Sequence, residues 1–174
     1  MTMIDTLVKE LMEEGATTRR ALERVPAGKM DWRPHPRART LGELAAHIAT
    51  LPGNIAEMAT LDTFDASSIA EPRPVAAGEL PATLDASLAT ARAALSRLGD
   101  ERLAETWRMV AGGTTLVSMP KAALLRTVML NHWYHHRGQL TVYLRELDVP
   151  VPSIYGPSAD ENPFAPPAGR GSSA

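Results

Sequence analysis

Two histidines four residues apart, His132 and His136 in LNHWYHHRGQL, are the most chemically suggestive feature of this chain. On a helix that turns about 100° per residue, positions i and i+4 share a face, and that spacing lets two imidazoles reach one metal ion. The same face carries Leu125, Met129, Leu140, Tyr143 and Leu147, so both rings point into an apolar seam. Between them stand Trp133, Tyr134 and His135. The glutamate that acts as general base on a metalloprotease helix is missing, which argues against that class. Taken alone, the pair fits two descriptions equally well: metal ligands, or core histidines bonded to neighbouring side chains.

A third histidine shifts that balance. His47, in LGELAAHIATL, flanks the inward face of a separate apolar helix. If that helix packs beside the one bearing His132 and His136, three neutral nitrogen donors converge. Such a set leaves positions for water or a substrate atom, the open arrangement of catalytic metal sites. His35, in the proline-rich WRPHPRART, reads as loop packing and not as a ligand.

The elements that must hold these residues are helical. From about Thr2 to Val25 the residues Ile4, Leu7, Val8, Leu11, Leu22 and Val25 form one stripe. Pro26, Gly28, Pro34 and Pro36 then interrupt the pattern until Thr40, an N-cap for a second helix that Pro52 and Gly53 bend. A polar connection from Leu61 to Glu79 precedes the alanine-rich LPATLDASLATARAALSRL, which ends at Gly99. In TWRMVAGGTTLVSMP, Gly112-Gly113 separates two short β-favouring runs and suggests a small hairpin. Pro120 suits the first turn of a fourth helix reaching about Leu147, where Pro150 and Pro152 forbid continuation. The expected fold is all-α: a four-helix bundle with a long crossover between helices two and three and a small hairpin before helix four. Residues 1–164 form a single domain in this reading, with a disordered Pro-, Gly- and Ser-rich tail over 165–174.

Composition limits the partners. The 174 residues are 44% apolar, with 18 Lys plus Arg against 20 Asp plus Glu, enough for a core without disulfides. With no cysteine, a thiolate–zinc site, a CxxC redox pair and a cysteine nucleophile are excluded. A net charge of -2 and only three Trp, three Tyr and two Phe argue against nucleic acid as a partner. The opening MTMIDTLVKELMEEG lacks the pattern of a signal peptide, and no window approaches a membrane span; the expected location is the cytoplasm.

Several polar residues are candidates to orient or assist the imidazoles. Gln139, one turn after His136, and Glu43, one turn before His47, can hydrogen-bond near them, and His135 lies toward the edge of the same face. Asp160 and Glu161 are candidates to return over the bundle as acid/base or lid groups. Arg137 reads as a surface salt-bridge residue that could also attract an anion, and Trp133 and Tyr134 as packing or dimer-contact residues.

At this point the sequence resembles the DinB-like, or YfiT-like, family of metal-dependent enzymes. The resemblance rests on LGELAAHIA, on HWYHHRGQL and on VPVPSIYGPSADE after it, and extends to about Glu161. It implies a four-helix bundle, often a homodimer, with a divalent metal held by one histidine of helix two and two of helix four, here His47, His132 and His136. It also implies several chemistries: proteins named as hydrolases, S-transferases that use bacillithiol or mycothiol, and mycothiol-dependent maleylpyruvate isomerases. Zinc or nickel are the first expected ions, with iron or manganese next. In the hydrolytic reading the ion lowers the pKa of bound water toward ~7; in the thiol reading it deprotonates a low-molecular-weight thiol that attacks an electrophilic small-molecule substrate. A third reading is a non-catalytic, metal-containing stress-response module, which would require a fourth protein ligand such as His135 or an acidic side chain.

Overall fold

The computed structural model describes residues 1–69 and 73–165. α1 (Met3–Leu22) starts at Thr2, whose hydroxyl accepts from the Asp5 N–H at 3.1 Å while the Asp5 carboxylate accepts from the Thr2 N–H at 2.9 Å. α2 (Leu41–Thr60) opens on the same reciprocal device, built from Thr40 and Glu43. α3 (Leu80–Leu98) has a proline in its first turn and ends on Gly99, whose φ of 69° is open to glycine at little cost. The fourth helix is composite: α4 (Lys121–Ala123), a π-helical run Leu124–Asn131, and α5 (His132–Glu146). The expected continuous α-helix is thus wound more loosely just before the histidine pair.

α2 is the central element. It packs against α3 on one side and against the π-helical run and α5 on the other, and α1 lies against α3 and α5. Leu11, Leu22, Leu44, Ile48, Leu84, Leu95, Leu125 and Leu140 are buried where these faces meet. The helical stripes drive this association, since burying each leucine contributes on the order of 1.5–3 kcal/mol.

The all-α expectation is corrected by a three-stranded sheet, although the bundle itself is as expected. β2 (Thr106–Ala111) and β3 (Thr114–Pro120) form the antiparallel hairpin, turning at Gly112 and Gly113 with φ of 54° and 80°. Two consecutive positive φ values match the twist of the flanking strands, and glycine adopts them freely. β1 (Thr63–Asp65) lies in the crossover and pairs parallel to β2, Phe64 opposite Met109. Three residues offer no periodicity from which to read a strand; the partner strand supplies the order. Lys121, fully buried, locks this layer to the fourth helix by donating to Asp62 at 2.7 Å and Glu105 at 3.0 Å. Of the tail expected over 165–174, all but its first residue lies outside the described residues.

The segment after α5 returns as an ordered arm. Glu161 pairs with Arg20 and with Arg24, the latter at 3.0 Å, and Asp160 pairs with Arg145. Both carboxylates also accept backbone bonds from the arm itself, Asp160 from Val151 at 2.8 Å and Glu161 from Ser153 at 3.0 Å.

Candidate metal centre

The antiparallel packing of α2 on α5 brings His47 to the histidine pair. Each of the three offers a ring nitrogen, and these atoms all lie within 4.8 Å of one another. Ring centroids are 4.5 Å apart for His132 and His136, 4.7 Å for His47 and His136, and 5.4 Å for His47 and His132. The Nε2 atoms of His132 and His136 are 2.7 Å apart. All three residues are half-buried.

Two features set the register of this meeting. Pro52 has no N–H to give the carbonyl four residues earlier, that of Ile48. The Trp133 indole N–H donates to that carbonyl at 2.9 Å, fully buried. Residues 48 and 133 immediately follow His47 and His132, so the bond that repairs the helix also aligns the two imidazoles. One residue later, the Gly53 N–H donates to Ser87 Oγ at 2.9 Å, tying α2 to α3.

The electrostatics keep the imidazoles neutral. Burial pushes the His47 pKa down to about 4, helped by the positive charge of Arg39 and by the other two rings. Burial also lowers His132, partly offset by the Val128 carbonyl, and lowers His136, partly offset by Gln139. Gln139 Oε1 accepts from His136 Nδ1 at 2.7 Å, which places the proton there and leaves the Nε2 lone pair for a ligand. His47 Nε2 is buried and finds no hydrogen-bond partner among the described residues. An unpaired buried nitrogen is costly, and a cation among three neutral donors removes that cost. The residues present therefore fit a divalent ion.

The other candidates are placed as follows. Gln139 touches the centre. His135 is exposed, its ring 5.1 Å from that of His136 by centroid, and it stands outside the donor cluster. The Glu43 carboxylate faces back to the Thr40 N–H at 2.6 Å, occupied in capping α2. Asp160 and Glu161 clamp the arm, as described above. His35 Nδ1 accepts from the Arg37 N–H within its own loop. Arg137 is buried and not on the surface: it donates to Thr18 Oγ1 at 3.0 Å, pairs with Glu14 at 2.6 Å and bonds Tyr155. Tyr134 donates to Glu10 at 3.0 Å between α5 and α1. Arg39 was not singled out from sequence, yet its charge bears on all three histidines. The signal available was the run of arginines without an acid in WRPHPRART.

Comparisons with known proteins agree with this architecture. The chain is 33% identical over 123 residues to the uncharacterized protein YrdA of Bacillus subtilis, a match that covers 70% of each chain. Its fold is similar to that of a DinB-like protein from Bacillus cereus, with a TM-score of 0.66 at 24% identity over 87% of this chain and 97% of that one. A DinB family member from Exiguobacterium sibiricum matches with a TM-score of 0.62 at 25% identity, covering 85% of this chain and 94% of the other. The DinB family profile itself matches residues 1–165. A four-helix chain with this crossover and hairpin, matched by that profile over nearly its whole length, belongs to the DinB family.

Proposed function

We propose that this chain is a divalent-metal-dependent enzyme of hydrolase type acting on a small molecule, with His47, His132 and His136 as the ligands. The observation that carries this reading is the buried, unpartnered Nε2 of His47 beside two further imidazoles held neutral by burial. Among the described residues no fourth His, Asp or Glu joins the cluster. That supports a site open to substrate over a closed structural one. A divalent ion there supplies Lewis acidity, polarising a substrate and activating water for hydrolysis.

The protein's own part is to hold and orient the donors. Gln139 fixes the tautomer of His136, Trp133 fixes the spacing of α2 and α5, and burial keeps protons off the rings at neutral pH. Zinc and nickel suit three imidazoles first, iron and manganese next. The alternative is a thiol transferase; the lack of cysteine in the chain is compatible with both chemistries, since an external thiol can bring the sulfur.

Elemental analysis of the chain purified without added metal tests the ligand set. One divalent ion per chain in the wild type, lost in His47→Ala and in His132→Ala, is expected. Full metal content in His47→Ala would refute it. Thermal-shift screening with small thiols then separates the two chemistries: a thiol-dependent shift that vanishes in His132→Ala selects the transferase, and hydrolysis of ester or amide substrates without any thiol selects the hydrolase.

A further inference from the structure

The loop between α1 and α2 carries Arg33, Arg37 and Arg39 and has no acidic residue from 32 to 40. Among the described residues none of these three forms an ion pair, whereas Arg20, Arg97, Arg102, Arg126 and Arg145 each do. In a chain with a slight excess of acid, three neighbouring arginines without carboxylate partners form a local positive field.

The loop is fixed at one end of the histidine centre. The Tyr143 hydroxyl donates to the Arg39 carbonyl at 3.2 Å, and the Trp32 ring stands edge-on to Tyr143 with centroids 5.6 Å apart. The Trp32 carbonyl accepts from the Leu41 N–H at 2.8 Å, which joins the loop to the start of α2. Tyr143 lies two turns beyond His136 on α5, and Arg39 lies in the loop just before the Thr40 cap of the antiparallel α2, whose first two turns lead to His47. Both paths place the Arg39 backbone roughly 10 Å from the imidazoles along the helices. An arginine side chain and a small anion together span that gap. Glu43 caps the Thr40 N–H and feels the charge of Arg33 and Arg39, and Asp31 precedes the loop's arginines, but neither carboxylate forms an ion pair with them among the described residues, so the field is only partly offset.

We propose that the substrate of the three-histidine centre carries an anionic group, a carboxylate or a phosphate, and that Arg39 receives it at the rim with Arg33 further out. The proposal specifies the substrate class of the site described above and rests on that reading for its purpose, though not for its test. A guanidinium suits both anions because its planar fork offers paired donors, and those bonds are charge-assisted.

Calorimetric titration of the zinc-loaded chain with inorganic phosphate, with succinate and with succinamide, the uncharged counterpart of succinate, tests it. At least one anion is expected to bind about tenfold or more tightly than succinamide, and the tighter of the two names the anion class. Arg39→Gln is expected to lose about tenfold in anion affinity with zinc content and melting temperature unchanged, while Arg39→Lys, which keeps the charge but loses the paired donors, is expected to fall between the two. Equal anion affinity in Arg39→Gln and wild type overturns the proposal, as does succinamide binding as tightly as succinate. A chain that takes up no zinc defeats the metal reading instead. The same titrations on that zinc-free chain still decide the role of Arg39, by whether Arg39→Gln differs from wild type.

Discussion

The indole N–H of Trp133 donates to the carbonyl of Ile48 at 2.9 Å, the one carbonyl of α2 that Pro52 leaves without its usual helical donor. Trp133→Phe leaves that buried acceptor unpaired and is expected to cost about 1–3 kcal/mol. Because the bond aligns His47 with His132, zinc affinity should fall with stability. Pro52→Ala restores an N–H at the same carbonyl and should recover much of the loss when combined with Trp133→Phe, while doing little alone. Chemical denaturation of the four proteins in a double-mutant cycle reads this coupling; simple additivity would show that the two residues do not share the carbonyl.

Metal removal should destabilise the fold through the same three imidazoles. A ligand present at a hundred times its dissociation constant adds about 2.7 kcal/mol to the folded state. Stripping the wild-type chain with a chelator is therefore expected to lower its melting temperature by several degrees, and added zinc to restore it. His132→Ala should melt at one temperature with or without chelator. A chelator-sensitive His132→Ala would place the ion elsewhere.

Two glycines in helices should respond in opposite directions to alanine. A Cβ at Gly53 would stand 2.9 Å from the Ser87 carbonyl oxygen and 3.2 Å from its Cα, so α2 and α3 would have to separate. We expect Gly53→Ala to cost about 1–3 kcal/mol. At Gly138, on the exposed side of α5, a Cβ meets nothing within 4 Å. Alanine there is expected to stabilise by up to about 1 kcal/mol through helix propensity. Thermal melts of the two variants decide the matter, and a stabilised Gly53→Ala would contradict the close helix contact.

The returning arm should loosen in acid. Hydrogen bonding to Arg145 and to the Val151 N–H holds the Asp160 carboxyl below its usual pKa, and the Ser153 N–H, with Arg20 and Arg24, does the same for Glu161. A carboxyl whose folded pKa is depressed binds fewer protons folded than unfolded. Its contribution is therefore complete above the ordinary carboxylate range and lost as pH falls through the lowered folded value. Hydrogen exchange at the Val151 and Ser153 amides should be slow at neutral pH. After correction for the intrinsic pH dependence, protection should drop below about pH 4. Protection that persists unchanged at pH 2 would mean that neither carboxylate holds the arm.

What could be read along the chain was what a few adjacent residues decide. The cap at Thr40, the Gly112-Gly113 turn, and the shared face of His132 and His136 each follow from geometry within a turn or two of backbone. Even the crossover was visible as a polar stretch that no helical period explains. These features survive in the structure because no distant segment has to be specified for them to form.

Other features depend on which segments become neighbours, and only the packed chain decides that. β1 exists because β2 lies beside it, and Arg137 is buried because α1 and the returning arm close over it. The residue pattern could not say whether His47 meets the histidine pair; α2 running antiparallel against α5 brings the three rings into one cluster that could hold a metal ion. Arg39 gained its place for the same reason, through a tyrosine more than a hundred residues away in sequence. Side-chain identity and local dihedrals constrain contacts over a few residues, whereas long-range proximity emerges from burying all the apolar faces at once.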